Sequence, residues 1–431
     1  MMLTRSAGCQ VPLDRSVPAL MLKIGQYPVH SGGVGVVRSL GRCGVPVYVV
    51  TEPALPPTAV SRYCTARFLS RFTGRERPSE LVPWLLAVGE RIGTRSVIVA
   101  TDDEAAVLAA AHRDELAGHF LLPDVNPMLP GRLASKTGLY ELCREHDVPA
   151  PATMTPRCLE DVAHFAATAR FPVVVKNAEP WHRRRRPIVA GTTIVPDAGR
   201  LMELASRGGD RPSLILQEYL PGDEAEDWIS HLYFNADSDA VLMATARKVR
   251  SWPPHAGPTA CARAVFNPEL AALSERFCKE IGYSGTGDLD WRQDLRTGQY
   301  NLVDFNPRPG NNFRLFENEA GVDVVRAQHL DLTGRPVPRG RQKEDRQLVV
   351  EHMDGPARIA YWVRDRRHAA RQGQVETELA WLAADDPLPA VVMVPHAVRA
   401  LAGDVYRRLK LRLQARRDRR RHGGAIWPGA S

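Results

Sequence analysis

Residues Thr286–Arg308 read TGDLDWRQDLRTGQYNLVDFNPR. Two runs of alternating polar and apolar residues flank Asp294-Leu295-Arg296-Thr297-Gly298, a turn-forming segment, so the stretch predicts a β-hairpin. Pairing Asp294 with Tyr300 across the turn sets Asp290 opposite Asp304 and Asp288 opposite Asn306. Strand side chains alternate between faces, so these four polar residues share one face and Leu289, Trp291, Val303 and Phe305 cover the other. Carboxylates placed directly opposite each other repel unless something neutralises them. Carboxylate and amide oxygens without sulfur or imidazole suit a hard cation, Mg²⁺ or Mn²⁺. The ordinary alternative is a solvated polar strand face, and the surrounding residues bear on the choice.

Only seven of the 57 basic residues are lysines, so each lysine raises the question whether its site needs a compact ammonium. Lys136 stands at a helix start, and Lys176 ends the strand-like run Val173-Val174-Val175. Beyond Lys176 lie the basic run His182-Arg183-Arg184-Arg185-Arg186 and Gly191-Thr192-Thr193, a loop able to cover polyphosphate. Arg308 directly follows Asn306-Pro307. A cation site, lysines, an arginine and a covering loop together describe a place for a metal-bound triphosphate, where positioning and charge neutralisation supply most of the catalysis. Solvated surface lysines and a solvated basic loop are the plain alternatives.

The chain has 431 residues, 44% hydrophobic and 25% charged, enough for two or three domains and too apolar for wholesale disorder. No apolar run reaches the roughly 18 residues of a membrane span. Residues 1–18 lack periodicity and an apolar core, so a loose leader and a cytoplasmic location are expected. Seven scattered cysteines without a C-x-x-C pair predict free thiols. The formal charge of +8 equals that of Tyr406–His422 alone, which holds nine Lys/Arg and one Asp. The high pI therefore belongs to the tail and does not make this a nucleic-acid-binding protein.

From Ala19 the order is strand (19–24), Gly-rich turn (30–35), helix to about Cys43, strand (45–50), then a strand at 96–100 before the helix start Thr101-Asp102-Asp103-Glu104. Alternating strands and helices predict a small parallel α/β domain ending near Asp124. Gly33-x-Gly35 lacks the third glycine of a dinucleotide fingerprint, and Glu52 is the sole acid placed for a ribose, so a tight structural turn is the favoured reading. A second unit carries a helix at 135–146, strands at 171–176 and 214–220, two strands around Asn235–Asp239, and a helix capped by Asn267-Pro268-Glu269. After Gln342 the chain is Arg-rich and reads as helical, with Val398, Leu401, Val405, Leu409 and Leu413 on one stripe.

Lys136, PVVVK ending at Lys176, LQEYLPG at 216–222 and VDFNPR at 303–308 occur in an order that resembles the ATP-grasp superfamily. ARKVRSWPP at 246–254 narrows the resemblance to the ATP-dependent carboligase branch related to biotin carboxylase and D-aspartate ligase. The resemblance implies an ATP-grasp domain (125–342) behind a Rossmann-like domain (19–124), with a helical basic extension (343–431) outside it. It implies that Lys136 and Lys176 hold ATP phosphates, that Gln217, Glu218 and Leu220 belong to the adenine hinge, and that Glu224 meets the ribose, with Asp223, Glu226 and Asp227 as competitors. Asp290, Asp304 and Asn306 match the metal ligands for Mg²⁺ or Mn²⁺. Arg308 matches the arginine beside the reacting group, and Arg250, Lys248 and Arg247 match phosphate or acyl-phosphate contacts. Relatives commonly carry Glu where Asp290 and Asp304 stand.

The implied reaction joins a small-molecule carboxylate to an amine through an acyl phosphate, releasing ADP and phosphate, with no nucleic acid required and a homodimer as the family habit. The rivals are D-aspartate-type ligation onto a cell-wall peptide, an ATP-binding regulatory protein without turnover, and nucleic-acid or anionic-surface association through Tyr406–His422.

Overall fold

The computed structural model describes residues 11–27, 29–177, 188–189, 192–210, 212–220, 224–255, 257–364 and 375–399. The first five strands are β1 (Ala19–Leu22), β2 (Val47–Thr51), β3 (Cys64–Leu69), β4 (Ser96–Ala100) and β5 (Phe120–Leu121). They form a parallel sheet in the order β3-β2-β1-β4-β5. Parallel strands are covered on both faces, which is why β1 reads as an unbroken apolar run. Ala19 and Met21 enter one core and Leu20 and Leu22 the other.

The helix Ser31–Gly41 follows β1 and is capped by His30, whose Nδ1 accepts from the Gly33 amide at 3.1 Å. The Gly-rich turn here serves packing: a Cβ on Gly35 would stand 2.8 Å from the Phe313 ring. Glu52 is buried against Lys23 at 2.5 Å, which leaves it facing an ammonium and not a ribose.

A second sheet, β6 (Thr153–Met154), β7 (Val173–Asn177), β8 (Thr193–Val195) and β9 (Leu214–Glu218), is antiparallel in the order β6-β9-β7-β8. The helices Leu159–Thr168 and Ala198–Ser206 back it through Val162, Leu201 and Leu204. The third sheet holds seven strands: β10 (Ala225–Phe234), β11 (Ala240–Ser251), β12 (Thr259–Ala264), β13 (Gly285–Asp294), β14 (Tyr300–Asn306), β15 (Arg346–Val349) and β16 (Glu376–Leu379). Their order is β14-β13-β10-β11-β12-β15-β16.

The hairpin of β13 and β14 pairs Asp288 with Asn306 and Asp290 with Asp304. Near the turn the expected register slips by one, so Gln293, not Asp294, faces Tyr300. A β-bulge between the two halves absorbs the difference, because Trp291 pairs with Leu302 and leaves Val303 without a partner. Val303 therefore lines the cleft above the sheet, while Leu289, Trp291 and Phe305 enter the core below with Phe277 and Leu142.

Three expectations need correction. Val11 and Leu13 are buried in the N-terminal core, so the described part of the leader is packed against the fold. The segment after Gln342 is not wholly helical: β15 and β16 complete the large sheet, followed or separated by helices Glu351–Arg364 and 388–399. Its loop is tied to the first domain by Arg38, which is 2% exposed and donates to Asp386 Oδ2 at 3.0 Å and to the Ala380 and Trp381 carbonyls. Cys43 is disulfide-bonded, whereas Cys64, Cys143, Cys158, Cys261 and Cys278 are free thiols. No described helix is long and apolar enough to cross a membrane.

Candidate functional site

A cleft of about 630 Å³ opens between the second sheet and the large sheet. Val174 and Lys176 of β7, the stretch Gln217–Leu220 and Thr193 line one wall. Asp227, Ile229, Lys248, Asp288, Asp290, Asp304 and Asn306 rise from the large sheet, and Arg308, Asn311 and Asn312 close one end. Each polar residue faces the cleft because its strand neighbours face a core, so the two-residue period that buries Trp291 also raises Asp290.

Cations pair with these carboxylates. Lys136 donates to Asp304, and Lys248 donates to Asp290 at 2.8 Å. Asp288 Oδ1 lies 2.7 Å from Nε2 of the fully buried His231, without hydrogen-bond alignment. Burial raises the Asp290 carboxyl, and neighbouring Asp288 and Asp304 add to the effect against Lys248. Burial also pushes Asp304 upward, but Lys136 and Lys176 outweigh it and hold that carboxyl below its usual range. Lys176 is lowered to about 8 by burial and by Lys136, and it donates to Gln217 Oε1 at 3.1 Å. Arg308 donates to Asp103 Oδ1 of the first domain at 2.9 Å and to Asn306 Oδ1 at 3.0 Å. Burial opposes its charge, and Asp103 and Asp288 more than compensate.

Whether these residues fit a metal follows from the donor set. Among the described residues no three His, Cys, Asp or Glu side chains enclose an ion by themselves. Two carboxylates and one amide oxygen on adjacent strands are what Mg²⁺ takes from protein when phosphates and water complete its shell. The arrangement fits a metal that arrives with a nucleotide, not a free ion.

No family model matches the chain. D-aspartate ligase of Enterococcus faecium is 26% identical over 314 residues, 68% of this chain and 72% of the relative. The arginine-specific large chain of carbamoyl phosphate synthase from Geobacillus stearothermophilus is 22% identical over 225 residues, 51% of this chain but only 20% of that one. Among solved structures, the biotin carboxylase–β,γ-ATP complex from Campylobacter jejuni superposes with a TM-score of 0.58 at 13% identity, covering 77% of this chain and 74% of that one. The biotin carboxylase domain dimer of Hydrogenobacter thermophilus 2-oxoglutarate carboxylase, a complex with MgADP, ADP and bicarbonate, gives 0.57 at 14%, covering 75% and 71%. The chain has the ATP-grasp fold of these biotin carboxylases.

On the ATP-grasp fold most of the expected residues converge. Lys176, Gln217, Glu218, Leu220, Lys248, Asp290, Asp304, Asn306 and Arg308 line the cleft, and Lys136 reaches it through Asp304. Two do not. Glu224 lies beside Arg296 at the hairpin turn, whereas Asp227 lines the cleft and meets Arg292 at 3.3 Å. Arg250 turns away to Asp354 of the helix Glu351–Arg364 at 2.6 Å, because β11 carries bulges around it. Arg247 stands opposite Trp228, also away from the cleft. The basic run 182–186, Gly191 and the tail 406–422 lie outside the described residues.

Several residues in or behind the cleft were missed. Arg292 stacks over the ring of Tyr219, within Gln217–Leu220, at 5.3 Å, and its strand period was visible. Asp103 gave a signal only as a helix start, since its partner Arg308 is 205 residues away. Gly310 must be glycine here: a Cβ would lie 2.2 Å from Asp288 Oδ2.

Proposed function

We propose that this enzyme is an ATP-dependent carboxylate–amine ligase that activates its carboxylate as an acyl phosphate and releases ADP and phosphate. ATP-dependent ligation in general is the activity of its class, and ATP and Mg²⁺ are its cofactors. The observation that carries the finer reading is the pairing of Asp290 with Asp304 across one register, each with its own lysine, opposite the hinge Gln217–Leu220.

Asp290, Asp304 and Asn306 would hold Mg²⁺ against the nucleotide phosphates, and the ion supplies charge neutralisation there. When phosphates enter, Lys136, Lys176 and Lys248 exchange carboxylate or amide partners for phosphate oxygens and offset charge on the transferring group. Burial makes this exchange effective, since each charge interacts more strongly where water is excluded. Arg308, held by Asp103 and Asn306, orients the oxyanion of the carboxylate being phosphorylated. The amine then displaces phosphate from the acyl carbon, which forms the C–N bond.

Incubation with MgATP, a panel of small carboxylates that includes D-aspartate, and hydroxylamine as surrogate amine tests this. ADP together with a hydroxamate is the expected result. AMP in place of ADP would mean adenylation and would overturn the acyl-phosphate route.

A further inference from the structure

Eight of the fifteen large hydrophobic residues exposed among the described residues fall within 351–399, which singles out this segment. The helix Glu351–Arg364 packs Met353, Ala357 and Tyr361 inward against Trp252 and Ala260. Its other side presents Ile359, Trp362 and Val363, each about two-thirds exposed. The 388–399 helix repeats the arrangement. Ala390, Met393 and Ala397 face Trp381 and Val34, while Leu388, Val391, Val394 and Val398 face solvent at helical spacing. Exposed apolar side chains clustered at helical spacing mark a contact surface, so both outer faces call for a cover.

The two helices are neighbours. Trp381 packs on Met393 of the second and donates from its Nε1 to His352 in the first turn of the first, at 3.1 Å.

Charge identifies the cover. Each exposed face is followed directly in sequence by an arginine-rich stretch: Arg364, Arg366, Arg367 and Arg371 against one Asp after the first, and Tyr406–His422 with nine Lys/Arg and one Asp after the second. An apolar helix face continued in sequence by clustered arginines matches an acyl–headgroup boundary carrying negative charge, and an exposed Trp suits the same interface. We propose that the exposed faces of the helices 351–364 and 388–399 form a docking surface for an anionic lipid bilayer. The inference is independent of the reaction proposed above, because it uses no cleft residue.

The test is co-sedimentation of the full chain with vesicles of phosphatidylcholine alone and of phosphatidylcholine mixed with phosphatidylglycerol. Binding to the mixed vesicles only, weakening roughly tenfold or more as salt rises, is expected. The double variant Trp362→Ser with Val391→Ser should bind the mixed vesicles roughly tenfold more weakly at an unchanged unfolding midpoint, since both side chains face solvent. No binding at low salt, equal binding to neutral vesicles, or equal binding by the variant overturns the proposal. A dimer in light scattering that the same variant dissociates, with no vesicle binding, would overturn it in favour of a second copy. Capture by a soluble polyanion without vesicle preference would do so in favour of an acidic macromolecule.

Discussion

Asp304 and Lys176 show how closely charge is balanced around the cleft. Asp304→Asn leaves Lys136 without its acid and removes one of the two carboxylates proposed to hold the metal. Turnover of MgATP should fall by roughly 10²–10³, the loss usual for one preorganised electrostatic contact, measurable as ADP release with folding unchanged by circular dichroism. Lys176 yields a pH prediction. Burial and Lys136 bring it down to about 8, so below that pH the free enzyme presents a cation to phosphate and above it a neutral amine. The KM for ATP should therefore rise as pH climbs through about 8. In Lys176→Arg, whose charge persists, that rise should vanish, and a wild-type KM flat from pH 7 to 9 would sink the assignment. The same shift makes the buried ammonium a cost to folding below about pH 8 that is relieved as pH rises toward 10.5. Residues of this kind were legible in the sequence because strand alternation placed Asp288, Asp290, Asp304 and Asn306 on one face. Glu224 and Arg250 were misplaced because their surroundings depend on bulges and on Arg296 and Asp354, which a local reading does not pair with them.

At the scale of elements, periodicity and capping located β1, β2, β4, β7, β9, the hairpin and the helix capped by Asn267, whose side chain accepts from the Leu270 amide, but not β3. What remained hidden was assembly. β15 is four residues long, RQLV, and meets the rest of the sheet by pairing with β12 more than eighty residues earlier and with β16 after it. The clasp formed by residues 380–386 was equally invisible, since Arg38 is one arginine among fifty until the fold surrounds it. Its consequence is testable. Asp386 is 1% exposed and accepts from Arg38, from Ser61 Oγ at 2.8 Å and from the Arg62 amide at 2.9 Å. Asp386→Ala strands a buried guanidinium and should cost about 3–5 kcal/mol in chemical unfolding. Arg42→Ala breaks a more exposed pair with Asp385 and should cost less than a third of that. Equal losses would mean that the clasp carries no special share of stability.

Among the described residues three sheets are arranged so that two of them face each other across the cleft, while the first domain reaches in through Asp103 and through the Gly32 amide that donates to Asn311. Without nucleotide, the lysines and carboxylates of opposite walls neutralise one another at a distance: Lys176 on β7 feels Asp304 and Asp290 on the large sheet. A ligand that replaces these contacts must bring both signs, phosphate for the lysines and a divalent ion for the carboxylates. ATP alone leaves Asp290 and Asp304 facing added negative charge, and Mg²⁺ alone adds positive charge beside Lys136 and Lys248. Stabilisation by ligand follows occupancy of the native state, reaching about 2.7 kcal/mol at a hundredfold excess over Kd. The unfolding temperature should therefore rise by several degrees with MgATP, and by clearly less with ATP plus a chelator or with Mg²⁺ alone. Double substitution of Asp290 and Asp304 by Asn should remove the dependence on Mg²⁺ while leaving a residual response to ATP through the lysines. Equal shifts with and without the ion in the unaltered chain would show that the two aspartates serve the lysines alone, and the metal assignment would fall even if ATP still bound.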